Sequence, residues 1–124
     1  DGMTAANELG FTNAVPAKIE ILVDARLKPI FLGNQKIVFK NAAPSRLYWA
    51  GRPGMYLVQA LHWLHDVMAS EAEKDKIDKI VRKILSDKKN GTKVADDLKT
   101  GLSAMPIWMQ NLLRKPLLLS DQAA

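Results

Sequence analysis

The sequence predicts an α+β fold, a small antiparallel three-strand sheet packed on a buried central helix and followed by a helical C-terminal half. Three observations carry that prediction. Residues 18–23 and 35–40 alternate apolar with charged or polar side chains, the period of a half-buried strand. Gly33-Asn34 is a tight-hairpin pair just ahead of the second of these runs. From Pro53 onward, apolar residues recur at helical spacing in several separate blocks.

Taken in order, Met3 to Gly10 predicts a two-turn helix stopped by its glycine, and Phe11 to Pro16 a loop. Lys18 to Val23 is the first strand, with Ile19, Ile21 and Val23 opposing Lys18 and Glu20, and Asp24-Ala-Arg26 is a turn. Leu27 to Leu32 is a second strand, although Pro29 cannot donate to a ladder and argues for an edge or a bulge. The third strand, Gln35 to Lys40, directs Ile37 and Phe39 one way and Lys36, Val38 and Lys40 the other.

Pro53 suits a first helical position, and Gly54 to Met68 follows as the central helix. Leu57, Val58, Leu61, Leu64 and Met68 form one face, which Tyr56, Ala60, Trp63 and Val67 widen past half the circumference. Only Gln59, His62 and Asp66 make a polar strip, so this helix should be mostly buried against the inner face of the sheet. Ser70, Glu71 and Glu73 open an amphipathic helix whose stripe is Ile77, Ile80, Val81, Ile84 and Leu85, ended by Asp87 to Gly91. Thr92 can cap a further helix reaching about Leu102, with Asp96 and Asp97 near its positive end. Ser103 to Leu113 makes a last short helix held by Ile107, Trp108, Leu112 and Leu113, and Pro116 with the tail Ser120 to Ala124 should fray.

With 124 residues, 48% hydrophobic, the chain suits one domain spanning residues 1–124 around one core. The absence of cysteine excludes disulfides, thiolate metal sites and a cysteine nucleophile, as in a protein of the reducing cytoplasm. No apolar run approaches the ~20 residues of a membrane-spanning helix, so no membrane partner is expected. Asp1 already stands inside helical sequence, which suggests that an amino-terminal portion precedes it. The net charge of +5 is concentrated: residues 18–52 hold Lys18, Arg26, Lys28, Lys36, Lys40, Arg46 and Arg52 against Glu20 and Asp24. Elsewhere acids and bases balance, so the basic surface belongs to the strands and the connector that leaves them.

A search for chemistry returns little. His62 and His65 stand three apart on one helix, but no third ligand accompanies them, and both are expected to be structural. Neither Gly-x-Ser-x-Gly nor a phosphate-binding glycine loop occurs. No catalytic, cofactor-binding or metal-binding residue is therefore expected, and an enzyme built on His62 is the weakest reading. Binding is the stronger class. Lys36 and Lys40 share a strand face that Lys18 can join, while Arg46 and Arg52 flank Tyr48 and Trp49. Guanidinium groups interleaved with aromatic rings suit nucleic acid and protein partners alike.

Four segments, Ala5 to Lys18, Leu32 to Lys40, Ala43 to Gly54 and Val58 to Leu64, resemble the second domain of AbiEi-like proteins. Met105-Pro-Ile-Trp-Met109 is similar to the closing motif of that domain. Those proteins are the antitoxin and transcriptional-regulator halves of bacterial type IV toxin–antitoxin systems. The resemblance implies an effector domain that counters a nucleotidyltransferase-like toxin. It also implies promoter DNA binding through an amino-terminal winged helix, for which these 124 residues have no room. Lys18, Lys36, Lys40, Arg46 and Arg52 are the expected contacts to the toxin or to its nucleic-acid target. The alternative is a basic RNA- or DNA-binding or protein-interaction module of unrelated role.

Overall fold

The computed structural model describes residues 2–11, 18–23, 26–41, 44–67 and 71–123. Thr12 to Pro16, the turn residues Asp24 and Ala25, Met68 and Ser70 therefore lie outside the described residues. The elements are α1 (Gly2–Glu8), β1 (Lys18–Val23), β2 (Ile30–Leu32), β3 (Gln35–Asn41), α2 (Pro44–Leu47), α3 (Met55–Val67), α4 (Glu71–Leu85), α5 (Gly91–Thr100), a 3₁₀ turn (Leu102–Ala104) and α6 (Ile107–Ala123). The fold is α+β and mostly helical.

Helix α1 ends as its glycine predicts. Gly10 takes a φ of +86°, the Phe11 N–H donates to the Ala6 carbonyl at 2.8 Å, and the Gly10 N–H donates to the Asn7 carbonyl at 3.1 Å. This pair of bonds is the Schellman motif, and the residue after the glycine, Phe11, is buried as that motif favours.

The sheet departs from the predicted antiparallel three-strand arrangement. Its antiparallel part is a two-strand hairpin, β2 with β3, closed by Gly33-Asn34 with a positive φ at Gly33 alone, the pattern of a type II′ turn. β1 lies along the other edge of β3 and runs parallel to it. Pro29 explains the order. The predicted strand from Leu27 contracts to Ile30–Leu32, and the proline, lacking an N–H, stands just before a short strand at the outer edge of the sheet.

Among the described residues, the sheet does not cover the central helix. α1 takes that place, its Ala5 and Ala6 buried against α3 and Gly2 lying close against Trp63. Small side chains let the two helices approach closely, and α3 buries Leu57, Val58, Ala60, Leu61 and Leu64 as predicted, while Tyr56 and Val67 stay exposed. On the sheet, Ile21, Ile30, Phe31 and Leu32 are exposed, and no sheet side chain among those described joins the core.

The remaining core is helical. Ile77, Val81 and Leu85 of α4 meet Ala95 and Leu98 of α5, and Met109, Leu113, Pro116 and Leu117 of α6. Helix α6 does not stop near Leu113 as predicted but continues to Ala123. Pro116 would ordinarily break it, since the ring removes one hydrogen bond and crowds the preceding turn. Here the ring is fully buried, and a Lys99–Asp121 ion pair ties the far end of α6 to α5, so tertiary packing outweighs the local preference. Ile107, predicted to clamp this helix, is exposed, and Met109 does so in its place. Among the described residues, no helix is long and apolar enough to cross a membrane.

Candidate functional site

The connector between sheet and core is more structured than a turn. Pro44–Leu47 forms one helical turn, α2, continued by bonds from the Tyr48 N–H to the Pro44 carbonyl and from the Ala50 N–H to the Leu47 carbonyl. This turn delivers Trp49 into the core at 1% exposure, with the Tyr48 ring set edge-on against it at 5.0 Å. Gly101 makes room for the indole, since a Cβ there would run into the Trp49 ring.

Arg52 turns inward from this connector. Its Nη2 lies 2.7 Å and its Nε 2.8 Å from Asp97 Oδ1, and its guanidinium carbon stands 4.5 Å from the centre of the Tyr48 ring. The second carboxylate oxygen of Asp97 accepts the buried Gly54 N–H at 2.8 Å. That bond satisfies one of the free donors at the start of α3. Asp97, only 6% exposed, therefore lies in the last half of α5 holding the connector, and does not act as an acid favouring the amino-terminal end of its own helix. Thr92 does not cap α5 either. Asn90 occupies that position, and Asp87 accepts the Asn90 N–H at 2.8 Å.

Arg46 occupies a different setting. It is half-buried on α2 and lines a cleft of about 280 Å³ with Ser45, His62, Ser103, Met105 and Pro106. Burial pushes the His62 imidazole down from 6.5 to about 4; the Arg46 charge and His65 add to that effect and Asp66 opposes it. His62 is thus neutral at physiological pH. The two histidines do not converge on a common point. His65 stacks flat on the Trp108 ring at 3.9 Å, and His62 meets the same ring edge-on at 5.7 Å. Among the described residues, no group of three or more His, Asp or Glu side chains is placed to hold a metal ion.

The sheet lysines are set by strand register. Lys18 is the β1 partner of Lys36, and Phe31 is the β2 partner of the same residue. Lys40 lies four residues along β3 from Lys36, at the same parity. Lys36 Nζ stands 5.8 Å from the centre of the exposed Phe31 ring. Of the five predicted contact residues, Lys18 and Lys36 are register partners on neighbouring strands and Lys40 shares the strand of Lys36. Arg46 lies in the cleft, and Arg52 is committed to Asp97.

Of the residues that organise these features, Asp97 and Trp108 are assigned other roles from sequence alone, and Phe31 is not singled out. Asp97 carries a faint signal, standing three residues after Val94 and four before Gly101 at the margin of the apolar stripe of α5. No curated protein matches this chain, and no solved structure does. The profile of a protein family, described as a family of unknown function (DUF6088), matches residues 1–90 of the 124, from α1 to the end of the loop after α4. The chain therefore belongs to the DUF6088 family.

Proposed function

We propose that this domain is a binding module of the AbiEi-like antitoxin and regulator type, which counters a nucleotidyltransferase-like toxin by contacting it or the nucleic acid it acts on. One observation carries the reading. Between Asp24 and Asp66 the chain has no carboxylate side chain but six basic residues, Arg26, Lys28, Lys36, Lys40, Arg46 and Arg52. Within that stretch Arg26, Lys28 and Lys36 are solvent-exposed. Basic groups with no carboxylate between them leave a positive field for a phosphate-bearing or acidic partner. Arg52 is excepted, because Asp97 neutralises it.

The test is protection in cells that co-express the cognate toxin. Lys28, Lys36 and Lys40 are changed together to glutamate and Arg52 is spared, since losing it would disturb the fold. Protection should vanish while the circular dichroism spectrum and melting temperature hold, and undiminished protection overturns the reading. A second reading, a nucleic-acid-binding module of unrelated role, is favoured by the exposed Phe31 beside Lys36, a ring on which a base can stack next to a phosphate-binding cation. It requires nucleic-acid affinity without any toxin that falls steeply with salt, and a flat salt response counts against it.

A further inference from the structure

The connector carries two arginines, and they are treated differently. Arg52 has a buried carboxylate. Arg46 is half-buried as well, yet among the described residues it meets no carboxylate and donates no hydrogen bond, and the 41 residues from Ala25 to His65 contain no acid. No guanidinium nitrogen of Arg46 is among the buried polar atoms without a partner, so the fork reaches solvent and is free to take an anion. What surrounds Arg46 is a cleft of about 280 Å³ whose polar lining is Ser45, Ser103 and His62, over an apolar floor that includes the buried Met105.

We propose that this cleft, between α2, α3 and the 3₁₀ turn ahead of α6, is a binding site for a phosphate-class oxyanion, with Arg46 as its principal ligand and Ser45, Ser103 and His62 completing the shell. The sign follows from the lining. A guanidinium, two hydroxyls and an imidazole can all donate, and no carboxylate lines the cleft to attract a cation. The oxyanion class follows from the number of donors. A planar carboxylate would take two N–H groups of the guanidinium fork and leave the rest idle, whereas the several oxygens of a phosphate engage fork, hydroxyls and ring together. Shape agrees with charge, since the apolar floor lowers the local dielectric and strengthens each of those bonds.

His62 adds a reporter. It faces Arg46 from α2, His65 and Asp66 from its own helix, and the Trp108 ring from α6. An anion beside Arg46 offsets the repulsion that helps to keep this imidazole neutral, so anion binding and His62 protonation must favour one another by linkage. The proposal shares Arg46 with the basic stretch behind the antitoxin reading, but its test is separate, since phosphate binding is read without any toxin.

The experiment is an NMR titration of the whole chain with inorganic phosphate and, separately, with adenosine monophosphate, observing the Arg46 Nε–H and the His62 imidazole. Saturable shifts of both resonances are expected, together with a rise of the His62 titration midpoint in saturating phosphate. Arg46→Gln should weaken binding roughly tenfold or more, and Lys79→Gln, on the exposed face of α4, should leave it unchanged. Tighter binding of the nucleotide assigns the cleft to a phosphate carried on a nucleoside, and equal binding assigns it to free phosphate. Should Arg46→Gln fail to fold, Arg46→Lys keeps the charge without the fork and should weaken binding by roughly threefold. Absence of saturable shifts at His62, or undiminished affinity in the Arg46 variants, overturns the proposal.

Discussion

Asp97 holds Arg52 across forty-five residues of sequence, with Nη2 2.7 Å from Oδ1, and with its other oxygen 2.8 Å from the Gly54 backbone nitrogen. One carboxylate thus does two things. It neutralises the connector's arginine and caps the first turn of the central helix, so the exit from the sheet region is fixed to α5.

Removing that carboxylate should cost more than removing the arginine. Asp97→Ala leaves a buried N–H at Gly54 and an unpaired guanidinium, and should destabilise the domain by about 3 kcal/mol. Arg52→Met keeps the Gly54 bond, and its own guanidinium is partly solvated, so a loss of about 1 kcal/mol is expected. Urea unfolding of both variants measures the order, and equal losses would show that the cap at Gly54 contributes nothing.

Gly101 should resist any side chain. A Cβ there collides with the six-membered ring of Trp49, which is 1% exposed and has no free space to enter. Gly101→Ala should cost about 2 kcal/mol, as overpacking does. The smaller ring of a Trp49→Phe partner should recover part of that loss, and strictly additive losses in the double variant would place the strain elsewhere.

These contacts also mark where the sequence stops being readable. The span of α4, Glu71–Leu85, follows from its stripe of Ile77, Val81 and Leu85, and the end of α1 follows from Gly10, because both signals are local. α2 has four residues and no period to detect. Alternation along β3 says which side chains share a face but not what covers that face, and Ala5 and Ala6 of α1 took the place beside α3 that the sheet was expected to fill. α6 runs through Pro116 because burial of that ring and the Lys99–Asp121 pair are decided in three dimensions. The candidate site divides along the same line. Its basic residues are visible in composition, but the carboxylate that claims Arg52 and leaves Arg46 unpaired sits in a later helix.

His62 gives the domain an acid limb. The unfolded chain takes up a proton near 6.5 and the folded one only near 4, so between those values the unfolded state binds more protons and stability falls as the pH falls. The loss is complete below about 4 and is at most ~3 kcal/mol, reduced by the ring's partial contact with solvent. His62→Gln should flatten this limb in melting temperature measured from pH 7 to 4. An unchanged slope would assign the acid sensitivity to other groups.

The β2–β3 hairpin should separate stability from binding. Phe31 is 71% exposed and Leu32 62%, and neither side chain belongs to the core, so Phe31→Ser and Lys36→Glu should each move the unfolding free energy by no more than about 0.5 kcal/mol. A large exposed ring beside a cation, in a stretch free of acids, instead has its effect when a partner arrives. Both variants should therefore melt like the parent and yet reduce toxin protection or nucleic-acid affinity severalfold. A melting temperature well below the parent's would mean that the hairpin stabilises the fold, and the binding role would then have to move to another surface.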